Sequence, residues 1–123
     1  MKKIRIACRD SVLAIALAHM VIQAIRDYDP LVVPELMVCK TPADKLSHLP
    51  KLPMNLKKAH LPVLEEQLET GQADLVVHHL KDLPFDDNPA FPLVAVGRRM
   101  EPADALILSS KRTEPDFKRP LGI

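Results

Sequence analysis

The chain has 123 residues, enough for one domain with a real core and too few for two well-stabilised ones. Hydrophobic residues make up 47% and charged residues 27%, a soluble globular composition, while aromatics at 3% leave aliphatic side chains to fill the interior. A net charge of +1 sets up no field to recruit nucleic acid or an anionic membrane, and two cysteines are too few for a disulfide scaffold.

Ile4-Arg5-Ile6-Ala7-Cys8 alternates and then continues apolar, which predicts a first strand. Asp10 or Ser11 then caps a helix, in which Ala14, Leu17, Ala18, Val21, Ile22 and Ile25 form one buried stripe. Tyr28-Asp29-Pro30 ends it. The apolar stretch over 12–25 is interrupted by His19 and Gln23 and is too short to span a bilayer. Met-Lys-Lys-Ile-Arg-Ile at the start lacks the long apolar run of a signal peptide, so the cytoplasm is the expected compartment. Leu36-Met37-Val38-Cys39 predicts a second strand. Cys8 and Cys39 lie in apolar runs and read as buried, reduced thiols.

Residues 41–58 contain Pro42, Pro50 and Pro53, several lysines and no period, and are expected to form a long mobile loop. Leu61, Leu64 and Leu68 mark a helix ending near Thr70-Gly71, with Gly71 as its C-cap. Residues 73–78 predict a third strand, buried on both faces. A polar loop over 79–89 follows, then a fourth strand at 93–96 and a fifth at 105–108. The domain is expected to span 1–110, with a polar tail over 111–123. Alternating strand and helix predict an α/β single domain with a mixed, mostly parallel sheet flanked by helices. Ligands of such sheets bind beyond the carboxyl ends of strands, which singles out Arg9 and Ser11, residues 41–45 and residues 79–82.

Each group has a chemical reading and a plainer one. Arg9 and a capped helix start make a carboxylate or phosphate cradle; the alternative is a simple cap beside a solvated arginine. Lys81 and Asp82 at a strand end offer a cation and a carboxylate that could stabilise positive charge on a ring nitrogen or move a proton; the alternative is a turn aspartate before Pro84 with a surface lysine. No metal site is expected, because adjacent His78 and His79 point to opposite faces of a strand and no third ligand follows at useful spacing. Lys51, Lys57, Lys58, Arg98 and Arg99 either extend an anion-binding face or are solvated charges.

On these residues the chain resembles the porphobilinogen deaminase (hydroxymethylbilane synthase) family, specifically its N-terminal domain. Ile4-Arg5-Ile6-Ala7-Cys8-Arg9-Asp10-Ser11 resembles the family's opening strand and Arg-x-Ser turn. Thr41-Pro42-Ala43-Asp44-Lys45 resembles its Thr-Lys-Gly-Asp-Lys loop. Val77-His78-His79-Leu80-Lys81-Asp82-Leu83-Pro84 resembles its Val-His-Ser-Leu-Lys-Asp-Val-Pro motif. Arg99-Met100-Glu101-Pro102-Ala103-Asp104-Ala105 resembles Arg-Glu-Asp-Pro-Arg-Asp-Ala. Order and spacing hold from about Ile4 to Ser109.

The resemblance implies a fold like one lobe of a type II periplasmic binding protein. It also implies a place in tetrapyrrole (haem) biosynthesis, where the family's transferase joins porphobilinogen units head to tail, with loss of ammonia, into hydroxymethylbilane. By resemblance Asp82 matches the catalytic aspartate facing the pyrrole nitrogens. Arg9, Ser11 and Lys81 match residues holding the acetate and propionate groups of substrate and cofactor, and Lys57 matches the lysine of a Gly-Gly-Lys-Gly segment. The family's cofactor is dipyrromethane, tethered to a cysteine of its last domain. Neither Cys8 nor Cys39 matches that position, so no covalently held cofactor is expected here.

The sequence also departs from the family. Met54-Asn55-Leu56-Lys57-Lys58-Ala59 has no glycine where the family has three, His79 stands for a serine, Ala103 for an arginine and Ala43 for a glycine. The family's second and third domains are not in the 123 residues, so the chain alone is expected to turn over little substrate. The alternative function is a non-catalytic module binding a small carboxylate or a protein. A homodimer or a companion chain is the expected partner in either case, with porphobilinogen or another small carboxylate as ligand and neither nucleic acid nor membrane.

Overall fold

The computed structural model describes residues 1–45, 60–84 and 88–103. The strand β1 (Lys2–Arg9) lies at the centre of a three-stranded sheet of order β2-β1-β3, with β2 at Val32–Cys39 and β3 at Leu75–Val76. Both pairings are parallel: Lys2 to Arg9 run opposite Val32 to Cys39 without a slip, and Ile6 and Ala7 sit opposite Leu75 and Val76. Parallel neighbours need a crossover connection, and the helix α1 (Val12–Tyr28) supplies it between β1 and β2. Central position explains the run Ile6-Ala7-Cys8, whose three side chains are all fully buried.

Ser11 is the N-cap of α1, with extended backbone and its hydroxyl accepting from the Ala14 amide at 3.2 Å. Ala14, Ala18 and Ile22 are the buried positions, four residues apart, and the two small alanines let the helix approach the sheet closely. The Asp29 amide caps the Ile25 carbonyl, and the Asp29 carboxylate accepts from the Leu31 amide at 3.0 Å, turning the chain into β2. Pro34 lies in β2, an edge among the described strands, where a missing N–H is tolerated.

The opposite face is covered by the helix α3 (His60–Glu69), preceded by a single helical turn, α2 (Pro42–Lys45). Leu64 of α3 packs with Ala7 and Ala73, and Met37, Cys39, Leu68 and Val76 close around them. The helix ends as its sequence predicts: Gly71 has φ +65°, and its amide bonds the Leu68 carbonyl at 3.1 Å. Helices on both faces of a parallel sheet make this an α/β fold.

Three expected elements differ. The third strand is only two residues long, although the Asp74 and Val77 amides still bond the Arg5 and Ala7 carbonyls at 2.9 and 3.0 Å. Residues 93–96 form no strand; Val94 is 76% exposed. A strand needs a partner along its length, and β3 offers a ladder of two residues. The expected loop over 41–58 begins with the helical turn α2, and its remainder lies outside the described residues, as does the fifth strand at 105–108.

Candidate functional site

The carboxyl end of β1 delivers Arg9 to the rim of the sheet, where the Asp10 amide bonds the Cys39 carbonyl at 3.0 Å and ties the turn to the end of β2. The chain then enters α1, whose first turn holds no acidic residue to offset the positive end of a 17-residue helix. Ser11 uses an acceptor lone pair for capping, which leaves its O–H available as a donor.

After β3 the chain leaves the ladder at Val77 and passes His78 and His79 into a 3₁₀ turn, Leu80–Asp82. The Asp82 amide bonds the His79 carbonyl at 3.0 Å, which closes this turn. Two hollows meet there. A narrow seam, too tight to admit a water-sized sphere, is lined by Arg9 from β1, Ala14 and Leu17 from α1, Val77 to His79 and Asp82. A wide groove of about 1120 Å³ opens alongside, between α3 and the 3₁₀ turn on one side and residues 88–95 on the other. Lys81, Asp82 and His78 line this groove. Asp82 and His78 therefore belong to both hollows. Asp82 thus shares the seam with Arg9 and the groove with Lys81.

The far wall of the groove is fixed by Asn88. Its amide nitrogen donates to the Glu65 carboxylate of α3 at 3.4 Å, and its side-chain oxygen accepts from the Ala90 amide at 3.1 Å. Leu93, Val94 and Ala95 extend that wall opposite Leu75, Val76 and Leu80. Sequence reasoning missed this wall by assigning residues 93–96 to the sheet. The Asn88-Pro89 turn signal before them was the available clue.

Electrostatics around the site are uneven. Arg5 binds Asp74 with two guanidinium bonds, at 2.9 and 3.1 Å, and the Arg5 amide adds a third at 2.8 Å. These bonds pull the Asp74 carboxyl down to about 2, and Arg5 is raised in return. This clip ties β1 to the start of β3 and keeps Asp74 committed to structure. The weaker Lys40–Asp10 pair, 4.0 Å apart, lies at the ends of β1 and β2. Cys8 is fully buried and Cys39 half-buried; burial pushes both thiols up, which keeps them protonated.

Among the described residues no group of three or more His, Cys, Asp or Glu comes together to hold a metal ion, and no helix is long and apolar enough to cross a membrane. Of the expected site residues, Arg9 and Asp82 share the seam, Lys81 joins Asp82 on the groove, and Ser11 caps α1. Thr41 is wholly buried at the head of α2. Lys57 lies outside the described residues.

Comparison with known proteins bears on this arrangement. Residues 4–120 match the family described as "Porphobilinogen deaminase, dipyromethane cofactor binding domain". The porphobilinogen deaminase of Ruminiclostridium cellulolyticum is 42% identical over 108 residues, 88% of this chain and 37% of that protein. That of Acetivibrio thermocellus is 37% identical over 120 residues, 98% of this chain and 41% of that protein. That of Alkaliphilus oremlandii is 38% identical over 125 aligned positions, 98% of this chain and 40% of that protein. The chain thus spans about two fifths of the length of these relatives. Matched over nearly its whole length, it belongs to the porphobilinogen deaminase family and corresponds to that family's N-terminal domain.

Proposed function

We propose that the chain forms one wall of a site that polymerises porphobilinogen into a linear tetrapyrrole, the remaining walls coming from further protein beyond these residues. The observation that carries the reading is the placement of Arg9, at the end of β1, and Asp82, after β3, on one seam at the carboxyl rim of the sheet. Porphobilinogen is a pyrrole with two carboxylate arms and an aminomethyl leaving group, so its site needs a carboxylate for the ring nitrogen and donors for the arms.

Asp82 is the catalytic residue of this proposal. Its carboxylate accepts from the pyrrole N–H and stabilises positive charge as ammonia departs, where a preformed charge acts without reorganising. Arg9 holds one carboxylate arm with its planar fork. Ser11 donates its O–H to the same arm, backed by the positive end of α1. Lys81 serves the other flank from the groove, and Lys57 is assigned to the same carboxylate-holding set from its resemblance to the family's lysine.

The donor set also suits dipyrromethane, whose carboxylate arms match those of the substrate; Arg9, Ser11 and Lys81 would hold them. When bound, that group supplies the pyrrole terminus to which new units are joined. Covalent attachment is not assigned to Cys8 or Cys39, since desolvation raises both thiols and a protonated thiol is a poor nucleophile.

The exposed apolar side chains of Leu93, Val94, Val96 and Met100 favour a companion chain or second copy over this side, which a sizing column with light scattering tests. They also favour a second reading, a module that binds another polypeptide and has no catalysis of its own.

Calorimetric titration with porphobilinogen separates the two. The proposal expects binding that weakens at least tenfold in Arg9→Ala and a Asp82→Asn variant of the full protein that loses about 10²- to 10⁴-fold in porphobilinogen consumption. Absence of porphobilinogen binding, with no effect of Asp82→Asn, supports the polypeptide-binding reading and overturns the catalytic one.

A further inference from the structure

We propose that the groove beside β3 is a self-association surface, in which residues 93–96 of a second copy of this chain lie as a strand and the exchange is reciprocal. Such a dimer forms whether or not porphobilinogen binds.

β3 is the last strand of the described sheet, and among the described residues no strand pairs with its outer side. An open strand edge is a template for another strand. Across the groove from Leu75 and Val76 stand Leu93, Val94 and Ala95, followed in the chain by Val96. Leu93, Val94 and Val96 are exposed at 51%, 76% and 66%. Leu-Val-Ala-Val suits a pleated, half-buried surface, yet it has no ladder of its own. Each copy therefore carries both halves of one pairing, an open edge and an unpaired strand-forming segment.

The groove has the size of one strand. Its volume is about 1120 Å³. A strand of about six residues is about 20 Å long, and with strands about 4.8 Å apart and layers about 10 Å apart it fills roughly 950 Å³. An inserted strand then has β3 on one side and the recipient's own residues 93–96 on the other. A two-fold axis between the two 93–96 segments satisfies both copies at once. The result is one continuous sheet, in which the two segments lie side by side between the β3 strands of the two copies.

Charge favours the same occupant. Glu65, Asp74 and Asp82 line the groove against one lysine, Lys81. Even with Asp74 matched by Arg5, Glu65 and Asp82 outnumber Lys81. Residues 91–99 carry no acidic side chain and end in Arg98 and Arg99. An apolar strand followed by two cations complements an apolar groove with a surplus of carboxylates.

The test is light scattering on a sizing column for the full protein, loaded at about 1–300 µM, with backbone amide hydrogen exchange read on the same samples. The expected result is a dimer that forms in the micromolar range, with the amides of residues 93–96 exchanging at least about tenfold more slowly in the dimer than in the monomer. Val94→Pro removes a strand N–H at an exposed position, so it should keep the circular dichroism of the wild type and weaken dimerisation at least about tenfold. Arg98→Glu combined with Arg99→Glu should weaken it about three- to tenfold, and more at low salt. A molar mass of one copy throughout, a dimer that Val94→Pro leaves intact, or a dimer whose 93–96 amides stay unprotected overturns the proposal. A monomer whose 93–96 amides are already protected assigns the groove to another part of the same protein and overturns it too. None of these outcomes decides porphobilinogen binding, which calorimetry on the same samples reads separately.

Discussion

Replacing Leu64 by alanine is expected to lower stability by about 3 kcal/mol, and the cause can be followed from the core outward. Leu64 is 0% exposed and is the residue through which α3 reaches Ala7 on the central strand and Ala73 at the entry to β3. Removing its branched end forfeits the transfer term and leaves a void, a combination that costs about 2–5 kcal/mol in a packed interior. The surroundings place the cost toward the lower half of that range. Met37 and Leu68 are only partly buried and can lean into the space. Set against a total of about 5–15 kcal/mol, the loss is large but survivable. Urea unfolding followed by circular dichroism should show a midpoint about 1–2 M lower with an unchanged slope. Leu64→Met, which conserves volume, should cost less than about 1.5 kcal/mol. A midpoint shift below about 0.3 M for Leu64→Ala would refute the claim that Leu64 anchors α3 to the sheet.

Three further outcomes follow from local geometry. Ser11→Ala removes the capping bond to Ala14 and should cost about 1 kcal/mol in thermal unfolding, together with weaker carboxylate binding if the Ser11 O–H serves a ligand. Gly71→Ala meets no atom within 4 Å, so its cost of about 1–2 kcal/mol comes from the positive φ alone, and Gly71→Asn should cost less. Asp74 is held down to about 2 from the usual 3.8, so its bonds to Arg5 contribute fully above about pH 4 and are lost as the pH falls toward 2. Acid unfolding curves should therefore fall more steeply over that window for the wild type than for Asp74→Asn; parallel curves would contradict the assignment.

Much of the fold was legible where local chemistry and burial agree. The stripe Ala14, Ala18 and Ile22, the cap at Ser11 and the glycine at 71 are local signals, and each sits where its spacing predicts. The first strand was readable because a central parallel strand is buried on both faces and shows a continuous apolar run. Residues 93–96 misled because Leu-Val-Ala-Val carries strand propensity without naming a partner, and pairing is a property of the sheet. The length of β3 was hidden for a related reason: Asp74, Val77 and His78 look continuous with Leu75 and Val76, but the chain must leave the ladder to carry Asp82 to the rim.

The candidate site was readable as separate pieces. Topology implies that Arg9 and Asp82 meet, since one ends and the other follows a strand of one parallel sheet. The wall formed by residues 88–95 was not readable, because it depends on the long-range bond between Asn88 and Glu65. His79 was read as a poor metal ligand and as standing for a family serine, and its place on the seam with Asp82 follows from the path of the chain after β3.

A crystal structure of the full protein with porphobilinogen bound would test the central claim most directly. The account predicts one ligand molecule over the seam, with the Arg9 guanidinium about 3 Å from a carboxylate arm and an Asp82 oxygen at similar distance from the pyrrole nitrogen. A ligand seated elsewhere, or an Asp82 carboxylate turned away from a ligand that Arg9 holds, would contradict it.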